Sequence, residues 1–179
     1  MHINSSISCL GVGKSVEPSL TATEFRELME KLGFRVEDTL EKPPQAVWSY
    51  EIISPPPLAV RLRAFMLNTN VLVLGIGVKF SPEHQQSIQS LESKEKLRLS
   101  SRIILEVLRI CPYCRIAVQP ALDNPEAVIA EIHRLLTNYN KMIIAEDIVR
   151  LVNVYIVINA VLWDYFPHVI GTGRPQPYM

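Results

Sequence analysis

Charge of one sign is what this sequence most clearly lacks: 18 lysines and arginines stand against 18 aspartates and glutamates, so the formal net charge is zero. A chain without a positive excess has no broad field for a phosphate backbone, and nucleic acid is not an expected partner. Zero net charge also does little to hold copies of the chain apart. Cysteine is scarce as well. Three is an odd count and too few for a secreted disulfide framework. The opening Met1-His2-Ile3-Asn4-Ser5-Ser6 has no basic region leading into an apolar core. No secretory signal is therefore expected, and the expected location is cytoplasmic. No internal repeat or low-complexity segment stands out.

Complete catalytic motifs are missing too. Gly11-Val12-Gly13-Lys14-Ser15 echoes a phosphate-binding loop, but Ser8 stands where the first glycine is needed. Ile3-Asn4-Ser5-Ser6 is no buried strand, and Pro18 follows where a helix should hold the phosphate on its free N–H groups. The histidines do not cluster at a ligand spacing, and no serine lies in a nucleophile elbow. His84, in the first turn of a helix, reads as a solvated surface residue, and Glu146-Asp147 as acids that suit a helix start. No cofactor and no metal are expected from these patterns.

What is present describes a globular chain. Its 179 residues are 48% hydrophobic and 20% charged, which excludes overall disorder and suits a single domain. A domain of this size buries about 70% of the surface its unfolded chain exposes. Residues 1–20 read as a flexible N-terminal arm, 21–166 as one α+β domain, and 167–179 as a flexible tail.

Thr21 and Glu24 form a capping box for a first helix, with Phe25, Leu28, Met29 and Leu32 as its apolar stripe and Gly33 at its end. Strands are predicted over Val47–Ile53, Leu58–Leu67 and Val71–Phe80, the last two joined as a hairpin by Asn68-Thr69-Asn70. Ser81-Pro82 starts a helical region that runs to about Ile110, with a break near Glu92–Lys96 and with Leu97, Ile104, Val107 and Leu108 buried. Arg115–Val118 is a short strand. Ala127–Leu136 fits a strand or a helix equally. A long apolar helix runs from about Ala145 to Phe166. The expected architecture is two-layer α+β: an antiparallel five-stranded sheet with helices on one face, in the order α-β-β-β-α-β-β-α.

Cys111-Pro112-Tyr113-Cys114 is the sharpest local pattern. Two cysteines so spaced can form a disulfide or contribute half of a zinc site, and Cys-Pro-Tyr-Cys is also a glutaredoxin active-site sequence. In glutaredoxins the first cysteine caps a helix N-terminus, whose dipole stabilises the thiolate. Here a helix ends before Cys111 and an extended segment follows, so the likeness covers four residues. Structural turn, disulfide, metal ligand and catalytic dithiol all remain open from sequence.

Association is the other theme. The last helix is apolar nearly all round, as in a central core helix or one shared with a second copy. Arg150, Asn153 and Asn159 interrupt it, so no membrane span is expected. Val71 to Leu74 are apolar on both strand faces, Val73 falling on the side that Gly75 and Gly77 leave bare for another backbone to approach. Arg61 and Arg63, with Phe65, form either a solvated outer face, a surface for a partner's acids, or a nucleic-acid platform. A homodimer is expected.

The element order, with Val78-Lys79-Phe80-Ser81-Pro82-Glu83-His84 leading into the second helix and Ile132-His133-Arg134-Leu135-Leu136 before the last, resembles the type III secretion chaperone-like fold. More narrowly it resembles an uncharacterised group of archaeal proteins with that fold. The resemblance implies a dimer that binds extended segments of partner proteins and has no catalytic residues. The balanced charge departs from the acidic character of many such chaperones. Three functions follow as expectations: a protein-interaction or chaperone-like module, a thiol redox or metal-binding protein using Cys111 and Cys114, or a small enzyme whose site is assembled from distant residues.

Overall fold

The computed structural model describes residues 20–137 and 140–171. The Gly11–Ser15 echo, Cys9, most of the expected arm and residues 172–179 lie outside them. Four helices and six strands follow in the order α1 (Ala22–Lys31), β1 (Arg35–Asp38), β2 (Ala46–Ile53), β3 (Arg61–Leu67), β4 (Val71–Lys79), α2 (Pro82–Gln89), α3 (Ser93–Ile110), β5 (Arg115–Ala121), β6 (Asn124–Leu135) and α4 (Lys141–Tyr165). A 3-10 helix at Pro167–Gly171 closes the described chain.

Local signals act where the sequence places them. Thr21 accepts from the Glu24 amide while Glu24 accepts from the Thr21 amide, so α1 begins on a complete capping box. Gly33 follows with φ +83°, a value that is cheap for glycine and strained for other residues. Asn70, at φ +60°, turns β3 into β4. Ser81 caps α2, with Pro82 at its first position.

The sheet is entirely antiparallel, in the order β1-β2-β3-β4-β6-β5. It therefore has six strands and not the five expected. The added strand is β1, four residues of which only Val36 points into the core while Arg35, Glu37 and Asp38 face water or the edge. So short and charged a segment carries no readable alternation. Of the ambiguous residues 127–136, all but Leu136 form strand: β6 lies between β4 and β5, and Val128, Ala130 and Ile132 alternate inward. The long helical region is two helices, divided where Glu92 adopts an extended backbone as the N-cap of α3.

Two burial expectations are corrected. Leu99, Ile103 and Val107 form the buried side of α3, while Leu97 and Leu108 are exposed and Ile104 half-buried. Apolar residues cover more than half the circumference of α3, so the side that packs inward decides which are buried; Ser100 lies on that side and donates to the Leu122 carbonyl at 2.7 Å. His84 is buried, 6% exposed, because the start of α2 leans on Phe166, whose ring centroid is 6.2 Å away.

The core is a single layer of side chains between sheet and helices. Trp48, Tyr50, Ile52, Leu62, Ala64, Met66, Leu72, Leu74 and Ile76 meet Phe25 and Met29 of α1, Ile103 and Val107 of α3, and Ile148, Leu151 and Ile158 of α4. Strand alternation sends these sheet residues to one face. Among the described residues the other face carries no helix. α4 is not a central core helix. Its inner side is buried, while Met142, Val149, Ile156 and Trp163 face out along the opposite side.

Candidate functional site

Two places bring functional side chains together. The first is built around Asp147, which lies in the first turns of α4 and is 0% exposed. Its neighbours along the helix, Ile144, Ile148 and Leu151, are buried core residues, so the helical period carries the carboxylate inward with them. Arg134 occupies the corresponding inward phase of β6, after Val128, Ala130 and Ile132. The two meet as a bidentate pair: Arg134 Nε donates to Asp147 Oδ2 at 2.7 Å and Nη2 to Oδ1 at 2.9 Å. Tyr113 donates its hydroxyl to Oδ1 at 2.8 Å. The fork geometry and the added hydroxyl are what a buried carboxylate requires. Hydrogen bonding to Asp147 raises the Arg134 pKa further above its ordinary range, against the effect of burial. Glu146, beside it in sequence, is exposed. The two acids thus differ, and the helix dipole alone does not account for Asp147.

The Tyr113 ring lies between two guanidinium groups, with Arg134 at 4.5 Å and Arg150 at 5.1 Å from its centroid. Tyr113 is held on the turn Cys111–Cys114, where the two cysteines are joined by a disulfide. Both are buried. Cys111 is the C-cap of α3, its amide donating to the Val107 carbonyl, and β5 begins at Arg115. The pair therefore sits at the carbonyl end of a helix, the end whose dipole disfavours a thiolate. Among the described residues no group of three or more His, Cys, Asp and Glu side chains lies close enough to hold a metal. Chemically, this cluster anchors: it ties α3, β6 and α4 together, and its polar atoms already bond one another.

The second place is the helix-free face of the sheet. Here the structure puts Arg61, Arg63, Phe65, Val73, Gly75 and Gly77 together with Glu51, Ile129, Glu131, His133 and Arg115. Register aligns Glu51, Arg63, Gly75, Glu131 and Arg115 in one row across β2, β3, β4, β6 and β5. Arg61 is already paired with Glu51 at 2.7 Å, and Arg63 donates to the Glu41 carbonyl at 2.6 Å. His133 Nε2 lies 3.0 Å from Glu131. Val73 is only 1% exposed although it lies opposite the core, because its neighbours on β3 and β6 crowd over it. A Cβ added at Gly77 would meet nothing within 4 Å, and one added at Gly75 would touch Glu131 Cγ at 3.4 Å.

The Asp147 cluster escaped the sequence reading because its members come from three elements. A signal was present, however: Asp147 and Arg134 are charged residues standing at buried phases of otherwise apolar patterns. Among the described residues no helix is long and apolar enough to cross a membrane.

The model of a protein family described as "Uncharacterized conserved protein (DUF2299)" matches residues 21–162. The chain belongs to this family. No curated protein gives a match. A solved structure, that of an uncharacterized protein from Methanothermobacter thermautotrophicus, is similar, with a TM-score of 0.69. The match covers 80% of this chain and 97% of that chain at 11% identity, which shows a shared fold and no more. The family and this archaeal neighbour lend no support to the expected likeness to secretion chaperones.

Proposed function

We propose that the chain is a non-enzymatic, cytoplasmic protein-interaction module that works as a homodimer and holds a segment of a partner protein on an exposed apolar surface. The observation that carries this reading is the outer side of α4. Met142, Val149, Ile156 and Trp163 recur at intervals of seven residues and are 65%, 52%, 43% and 41% exposed. A helix in water keeps a polar outer side, and a row of large apolar residues at heptad spacing is the pattern of a helix that packs against another surface. A groove of about 250 Å³ lies beside the row, lined by Phe34, Pro55–Leu58, Val149 and Val152.

The test is sedimentation equilibrium together with affinity capture from native extract. We expect a mass near twice that of the chain, and a partner that Ile156→Asp no longer captures. A monomer at tens of micromolar, with Ile156→Asp capturing the same set of proteins, would end this reading. A thiol-based function has one observation in its favour, the Cys111–Cys114 disulfide. Both sulfurs are buried at a helix C-terminus, and a redox role requires them to cycle with a small dithiol while the fold persists.

A further inference from the structure

The helix-free sheet face is charged in a pattern that is its own complement. About Gly75, the row across the sheet reads Glu51 and Arg63 on one side, Glu131 and Arg115 on the other. Signs reverse on crossing β4: Arg63 is one strand away, as is Glu131, and Glu51 is two strands away, as is Arg115. We propose that a second copy of this chain packs face to face on this sheet, about a two-fold axis running along β4. The inference rests on the homodimer in the reading above and assigns that dimer to a surface.

Such an axis lays β3 of one copy over β6 of the other, and β2 over β5. Arg63 then faces Glu131 of the partner subunit twice, once on each side of the axis, exchanging its bond to the Glu41 carbonyl for a carboxylate, and Glu51 faces Arg115 of the partner subunit, while Glu51 and Glu131 keep Arg61 and His133 beside them. Two rows on one side agree, while in the Gly77 row Arg61 falls opposite the partner's Ile129 and keeps its own Glu51 as partner. Phe65, Val73 and His133 share one row, so Phe65 meets the partner's His133 while Val73 meets its own copy. In the next row, the β3–β4 register continued by one pair puts Leu67 beside Val71, which pairs with Leu135, so Leu67 meets the partner's Leu135. On the axis itself stand Gly75 and Gly77, and the open space above Gly77 lets the two β4 backbones approach. Lys79, at the outer end of β4, is the like-charge meeting in this arrangement, and its place at the rim leaves it in water.

Aligned sheets pack in this way in β-sandwiches, about 10 Å apart. Six strands at about 4.8 Å spacing and about 3.4 Å per residue present a face on the order of 600 Å² per copy. That approaches the roughly 800 Å² per partner of a standard interface. An amphipathic helix or an unrelated peptide gives no reason for signs that invert across β4. A second copy does.

The experiment is a charge exchange followed by sedimentation velocity. Arg63→Glu alone and Glu131→Arg alone each place like charges across the axis and should weaken the dimer about 100-fold. Mixed together, the two variants present a complete set of opposite charges, so the mixture should form a heterodimer although neither variant pairs with itself. Gly77→Lys gives a second check: a Cβ there meets nothing within 4 Å in its own chain, the exposed strand position leaves the longer side chain in solvent in the monomer, and the dimer would set two ammonium groups on the axis. Its circular dichroism should match the parent while its dimer is lost. If the parent chain is dimeric and all three variants remain so, the dimer uses another surface and this inference fails while the homodimer stands. If the parent chain is a monomer, both fail. A mixture that stays monomeric also overturns the inference.

Discussion

Arg134→Met and Asp147→Leu remove the two halves of one ion pair, and the structure says that they are not equivalent. Arg134→Met leaves a carboxylate at 0% exposure with only the Tyr113 hydroxyl to bond it. Removing one partner of a buried pair in this way costs about 3–5 kcal/mol. Asp147→Leu leaves the other half, but the Arg134 side chain is 35% exposed and can turn its guanidinium to water. What remains is a Tyr113 hydroxyl without its acceptor on a side chain 39% exposed, a loss of about 0.5–1.5 kcal/mol. The double variant buries no charge, and a leucine and a methionine fill comparable volume, so it should cost less than Arg134→Met alone.

The assay is urea unfolding at neutral pH and one fixed protein concentration, since any dimer makes the midpoint concentration-dependent. Thermal melts run beside it should show the Arg134→Met midpoint lowered by about 6–20 °C, at roughly 2–4 °C per kcal/mol for a chain of this size. The double-mutant cycle should return a coupling of about 1 kcal/mol or more. Equal losses in the two single variants, or a double variant equal to their sum, would refute the reasoning. The pair would then be a solvated contact.

Burial lowers the pKa of His84, and the glutamate beside it only partly offsets this. Above about pH 6.5 the imidazole is neutral in both folded and unfolded chains. Below that, the unfolded chain takes up the proton first, so stability falls with pH at up to about 1.4 kcal/mol per unit until the folded pKa is reached. Urea midpoints from pH 8 to 5 should show this slope, and His84→Leu should flatten it; an unchanged slope in the variant would place the effect elsewhere. Cys111 and Cys114 close a very short loop, for which chain entropy allows about 2 kcal/mol. Replacing both with alanine should lower stability by no more than that, and intact mass should show alkylation of both sulfurs only after reduction and unfolding. Gly33→Ala, at φ +83°, should cost about 1 kcal/mol by the same unfolding assay, because a Cβ strains a left-handed backbone.

Contacts that close within a few residues were legible in the chain itself. The Thr21–Glu24 box, Gly33, the Asn68–Asn70 turn and the Ser81-Pro82 start each act through atoms no more than a turn away. The alternation of β3, with Arg61 and Arg63 opposite Leu62 and Ala64, was equally plain, because a strand with one wet face writes its period in polarity. Features that depend on a neighbour from elsewhere were not legible. β1 exists because β2 offers it an edge, not because Arg-Val-Glu-Asp favours a strand. Residues 124–135 become a strand because β4 and β5 flank them. The buried side of α3 is chosen by what it packs on, since its own apolar residues run most of the way round.

By itself, then, the sequence determined the α+β class, its local caps and turns, an apolar excess on β4 and the last helix, and a Cys-Pro-Tyr-Cys pair at the wrong end of a helix for a reactive thiolate. Tertiary structure alone decided that Arg134, Tyr113 and Asp147 meet, that His84 is inside, and that the charges of β2, β3, β6 and β5 line up in one row. The reason is physical. Strand register and helix phase are settled by burial of whole faces against one another, and no single segment carries that information alone.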